Sequence, residues 1–181
     1  MDPMSSWPRI AVVLACLAGC AAHAGAVSAE SGEAERLVSV MRLDFTMLDA
    51  VQWHVRLDPA ASSHVSGDCL SGQDFARFNP ALAQRIADRL SKDEIEAALA
   101  FYSSAPGRKF SDAALAEMHR QADSSLAEAA PDFTADERTR IEAFMQTPPY
   151  PKLQRLLAPL PTGVLEVQRA LLDECSRAKA P

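Results

Sequence analysis

Apolar residues return every three or four positions along most of the chain, the period of a helix with one buried face. Over residues 33–56, Leu37, Val40, Met41, Leu48, Val51 and Val55 keep this step. The pattern predicts one long helix, ended by Asp58-Pro59 because the residue before proline is pushed out of the α region. Residues 60–72 are small and polar and read as a loop. A second helix is expected over 73–90, with Phe75, Phe78, Leu82, Ile86 and Leu90 on one stripe. Pro80 inside it marks a kink or a break.

The next helix start is signalled more sharply. Ser91 and Glu94 have the spacing of a capping box, in which the hydroxyl accepts from a free backbone N–H and the carboxylate reaches back to the cap. Thr134 and Glu137 repeat that spacing 43 residues later. Each helix then runs into a proline-containing turn, Ala105-Pro106-Gly107 and Thr147-Pro148-Pro149. Between them, residues 108–129 read as a helix with Phe110, Leu115, Met118, Ala122 and Leu126 inward, closed by Pro131. A short helix over 151–157 and a last one over 163–175 complete the set. Runs of alternating β-branched or aromatic residues are nearly absent. The expected fold is all-α: a single compact domain of six or seven helices containing two related helix-turn units. Its parts are an N-terminal helix over 30–58 and a helical domain over 70–176.

The first unit centres on Phe101, Tyr102, Ser104, Pro106, Gly107 and Lys109. The second keeps Phe144, Thr147, Pro148 and Lys152, with Tyr150 in place of the glycine. Phe101 and Tyr102 close a helix whose stripe is Ile95, Ala98, Leu99 and Tyr102. Phe101 reads as core, and Tyr102 as a packed end of the helix or the lining of a groove. Gly107 permits the left-handed or tight backbone needed to reverse direction. Arg108 and Lys109 open a helix, where positive charge opposes the macrodipole. They form either a functional basic pair or bonds to the carbonyls ending the previous helix.

This stretch, entered by Leu90-Ser-Lys-Asp-Glu, resembles a family of exported bacterial proteins known as domain of unknown function 2059. The family pattern is a helix ending in Phe-Tyr, a variable residue, Ser-Pro, a variable residue, then Gly and a base. Here Ala105 stands where proline is usual and Pro106 follows one place later. The resemblance covers about residues 70–175 and implies a helical fold. No catalytic residue carries over with it.

The N-terminus changes the expected compartment. Arg9 precedes the apolar run 10–18 and small residues follow, the order of an export signal too short to span a bilayer. Two processing routes fit. Leu17-Ala18-Gly19-Cys20 resembles a lipobox, making Cys20 a lipidation site. Ala22-His23-Ala24 and Ala24-Gly25-Ala26 suit a peptidase that releases a soluble protein. Residues 1–24 are therefore assigned to a cleaved signal and the remainder to the periplasm, soluble or tethered as a lipoprotein. Two cysteines then remain, Cys69 and Cys175, and an even number in an exported chain predicts one disulfide.

The net charge is −6, and it stays there after cleavage because Asp2 and Arg9 cancel. An acidic chain without a basic cluster argues against nucleic acid and against docking on anionic lipid. His54, His64, His119 and Cys69 lack metal-site spacing. The sequence carries no nucleophile elbow, phosphate loop or dinucleotide fingerprint. Asp93, Glu94, Asp136 and Glu137 occupy first helical turns, where they answer the dipole. Trp53-His54 reads as a core tryptophan with an exposed neighbour. No metal, cofactor or catalytic residue is expected. The leading reading is a non-catalytic envelope interaction module with a protein partner of unknown identity. The alternative is a binder of an apolar small molecule or lipid between the two helix-turn units.

Overall fold

The computed structural model describes residues 32–122 and 131–179, and among them the chain is helical with no strand. The expected export signal over 1–24, with Cys20, and Leu126 lie outside the described residues. The first helix, α1, covers residues 32–41. It is followed by α2 (Leu43–Leu57), α3 (Pro59–His64), α4 (Gly67–Ser71), a 3₁₀ turn (Phe75–Phe78) and α5 (Asn79–Ala87). The second half contains α6 (Lys92–Tyr102), α7 (Ala105–Ala122), α8 (Ala135–Met145), α9 (Pro149–Gln154) and α10 (Thr162–Arg177). These are more elements than the six or seven expected, for three local reasons.

The long N-terminal helix is broken at Arg42, which takes φ 58° and ψ 30°, the only non-glycine residue with positive φ among those described. No proline or glycine announces this break. The Arg42 carbonyl is held from two directions, by the Thr46 amide at 2.9 Å and the Thr46 hydroxyl at 2.8 Å. The expected loop over 60–72 contains two short helices instead. Asp58 caps α3 through the Ala60 amide, and Ser66 caps α4 through the Cys69 amide. Pro80 proves to be a break: Asp74 caps the 3₁₀ turn, and Asn79-Pro80 opens α5, where proline lacks nothing the first helical turn needs.

The core is one cluster. Leu37 and Val38 of α1 and Leu48, Val51 and Val55 of α2 join Phe78, Leu82 and Ile86. Leu171 and Cys175 of α10 and Ile95, Ala98 and Leu99 of α6 complete it. The N-terminal helices thus share their buried face with the rest of the chain. Trp53 is only half-buried, with the Arg56 guanidinium 5.3 Å from its ring, and Phe75 is 44% exposed. Neither belongs to the core that the periodicity suggested.

The first proline-containing segment is helical where a turn was expected. Ala105, Pro106 and Gly107 form the opening turn of α7, and the direction reverses at Ser103 and Ser104. Gly107 is not left-handed, since no glycine among the described residues has positive φ. It is required for a different reason. A Cβ there would lie 2.6 Å from the Phe101 carbonyl carbon and 2.7 Å from the Tyr102 Cα. The end of α6 therefore rests directly on the backbone of α7.

Cys69 of α4 and Cys175 of α10 form a disulfide with Cα atoms 5.4 Å apart, closing a separation of 106 residues. The Ser66 amide donates to the Cys175 carbonyl at 3.1 Å beside it. In the chain-entropy account, a loop of this length contributes about 4–5 kcal/mol. Replacing both cysteines by serine is expected to lower unfolding stability by that order, read as the shift in urea midpoint between variant and parent. Gly107→Ala is expected to cost about 3 kcal/mol or more, because only backbone atoms stand in the way. A thermal melt of G107A within a degree or two of the parent would contradict this account of the elbow.

Candidate functional site

The two helix-turn units are built alike and lock into one another. Both capping boxes form as the spacing predicts. Ser91 Oγ accepts from the Glu94 amide while Glu94 Oε2 accepts from the Ser91 amide at 2.8 Å. Thr134 and Glu137 do the same, again at 2.8 Å. At the other end of each helix, Ser104 Oγ donates to the Phe101 carbonyl at 2.5 Å, and Thr147 Oγ1 donates to the Phe144 carbonyl at 2.5 Å. Ser104 Oγ also accepts from the Gly107 amide at 3.2 Å, tying the elbow to the start of α7.

The lysines do not serve the carbonyls of the preceding helix. Lys109 Nζ reaches Glu137 Oε2 at 2.9 Å, and Lys152 Nζ reaches Glu94 Oε2 at 2.7 Å. Each unit's lysine thus binds the capping glutamate of the other unit. Arg108 alone behaves as the structural reading of the basic pair expected, donating to the Ser103 carbonyl. The helices pair in the same crossed sense, α6 against α9 and α7 against α8. Phe101 and Phe144 meet where the units cross, with ring centroids 3.9 Å apart and planes within 6°. Tyr102 stands edge-on to Phe144. Contact between equivalent residues is what a local two-fold relation produces. The true counterpart of Pro106 is Pro149, which is buried as Pro106 is, whereas Pro148 is exposed.

These contacts shift two carboxyls. Glu94 is held below its ordinary 4.5 first by the hydrogen bond from Lys152 and then by the Ser91 amide. Glu137 is held down in the same way by Lys109 and then by Thr134.

Beside the first unit lies an apolar cavity of about 160 Å³. Met41 and Leu43, at the junction of α1 and α2, form one wall, and Tyr102, Phe110, Leu115 and Met118 form the other. A neighbouring cleft of about 280 Å³ shares Ser111 with it and is lined by Ser39, Arg42, Ser103, Arg108 and Asp112. The expected apolar site between the two units is not what the fold provides. The space between them is filled by the aromatic stack, and the cavity opens between the first unit and the α1–α2 junction. Tyr102 lines the cavity while only 5% exposed. Its hydroxyl has no hydrogen-bond partner among the described residues, and burial, with a lesser contribution from Tyr150, drives its pKa upward. The other lining hydroxyls are engaged, Thr46 with the Arg42 carbonyl and Ser111 with the Gly107 carbonyl.

The residues considered for a metal are dispersed. Cys69 is in the disulfide, His54 and His64 are exposed, and His119 Nε2 lies 2.7 Å from Asp49 Oδ2, joining α7 to α2. Sequence reading missed the α1–α2 junction as a site wall, because Arg42 gives no local sign of its left-handed backbone.

A small disulfide-bonded helical protein built round a crossed internal repeat is thus the class defined by the fold. Residues 76–133 match the family model described as an uncharacterized protein conserved in bacteria (DUF2059), the family that the Phe-Tyr motif resembles. The match includes the first unit's motif and the α7 wall of the cavity, and it stops one residue short of Thr134. No curated protein and no solved structure matches the chain.

The crossed ion pairs have a pH signature. Because the folded pKa of each glutamate is depressed, their stabilisation is whole above pH 4.5 and is lost as pH falls through the lower folded values. The double variant E94Q/E137Q keeps an acceptor for each cap but loses both ion pairs. Its melting temperature is expected to fall below the parent's at pH 7 and to change less than the parent's between pH 5 and pH 3. Parallel melting curves for the two proteins across that range would sink the assignment.

Proposed function

We propose that the protein is a non-catalytic binding module exported to the bacterial envelope, with the cleft beside the first unit as its working surface. The observation that carries this reading is the division of roles within the motif. Its lysines and capping glutamates are engaged with one another across the repeat. Its Tyr102, with Phe110, Ser111 and Leu115 of α7, lines an open cleft instead. Catalysis needs titratable groups converging on a reacting atom, and here those of the motif converge on each other. The envelope part rests on the leader pattern and on the Cys69–Cys175 bond, a type of link that persists in oxidising compartments.

A second reading, a binder of an apolar small molecule, is favoured by one observation. The cavity walls are apolar and include Tyr102, a buried side chain whose hydroxyl has no partner among the described residues. Ligand sites of this kind pair an apolar lining with a few polar anchors.

The test combines cell fractionation with a photo-reactive residue in place of Leu115. The expected result is mature protein in the envelope fraction, its mass starting at acylated Cys20 or after Ala24 or Ala26, with Leu115-dependent cross-links. Protein retaining its leader in the cytosol, or cross-links independent of position 115, would overturn the proposal.

A further inference from the structure

We infer that the cleft takes a single-chain anionic amphiphile, its chain in the apolar cavity and its carboxylate between Arg42 and Arg108. This rests on the binding-module reading above and names the ligand class for that surface. Four observations meet here. The cavity and its neighbour share Ser111, so one molecule can occupy both. Their volumes, about 160 and 280 Å³, sum to the lower part of the ordinary 300–1,000 Å³ ligand range, which suits one chain rather than two. The two halves differ in chemistry: methionine, leucine and aromatic side chains wall the first, while two arginines and three serines line the second. Tyr102, lining the apolar half, has a hydroxyl with no hydrogen-bond partner among the described residues.

The arginine rim is held with some strain. Arg42 occupies a left-handed backbone, which a residue with a Cβ adopts only at a cost. Strain of this kind concentrates at ligand clamps. The guanidinium lies 4.9 Å from the Phe45 ring and 2.9 Å from Asp112 Oδ1. Asp112 leaves the rim with one net positive charge. The Arg42–Asp112 pair is 43% and 56% exposed, so it is weak, and the five guanidinium donors exceed what one carboxylate oxygen uses. Arg108 likewise gives one nitrogen to the Ser103 carbonyl and keeps the rest. A carboxylate held by both is a charge-assisted contact, stronger than any a neutral head group makes.

The probes are laurate, dodecanol and dodecyltrimethylammonium, each titrated calorimetrically into the purified mature protein. Laurate is expected to bind saturably at one site, dodecanol about tenfold more weakly, as the loss of a charged hydrogen bond implies, and the ammonium probe not at all. The variant A114F places a ring in the apolar half from an exposed position, and should abolish binding of both laurate and dodecanol. R42N/R108Q, with an asparagine that tolerates the left-handed backbone, should reduce laurate to the affinity of dodecanol. Circular dichroism establishes that each variant is folded. The inference falls if laurate shows no saturable binding, if A114F binds as the parent does, or if dodecanol matches laurate. Cross-links from position 115 to an envelope protein, with laurate failing to bind, would discard the amphiphile and leave the binding module standing. A cytosolic location would discard the module whatever the titration gives.

Discussion

One carboxylate oxygen on each of two glutamates holds the second half of this molecule in register. Glu94 Oε2 accepts both the amide that starts its own helix and the ammonium of Lys152 from the other unit, and Glu137 Oε2 does the same for Thr134 and Lys109. A capping interaction is local, and an ion pair between repeats is not. Joining them on one atom means that docking of the opposite unit adds a second contact to the oxygen that already caps each helix. The stacked Phe101 and Phe144 supply the apolar centre about which this exchange is arranged.

The elbow after α6 turns that docking into a surface. Because Gly107 lets α7 sit on the last backbone turn of α6, Tyr102 and Phe110 emerge on the same side, facing the α1–α2 junction. The second unit cannot form the same surface. Tyr150 stands where Gly107 does, and its ring packs edge-on against Phe144. The asymmetry between a glycine and a tyrosine thus makes one unit a cleft wall and the other its support. The family match covers the unit with the glycine.

Helical class, both capping boxes, the disulfide and the likeness of the two units were legible in the sequence, because they depend on local spacing, on counting cysteines or on a pattern repeated 43 residues later. What escaped were features fixed by packing. The break at Arg42 follows from tertiary restraint on a residue with no intrinsic liking for that conformation. Gly107 was valued for its freedom of φ, when what matters is the room left by a missing Cβ. The lysine partners lie 28 and 58 residues away, beyond any local rule. The cleft joins residues 39–46 to residues 102–118, so its apolar stripe reads only as core until the helices are placed.

The bond between α4 and α10 encloses both repeats in a covalent ring, from residue 69 to residue 175. While the Cys69–Cys175 bond stays oxidised, a peptidase that severs one peptide link within this circle yields a nicked but undivided molecule. The paired units then stay at high effective concentration to re-dock. Durability against enzymatic damage, and not only resistance to heat or urea, is therefore built into where the chain fastens to itself.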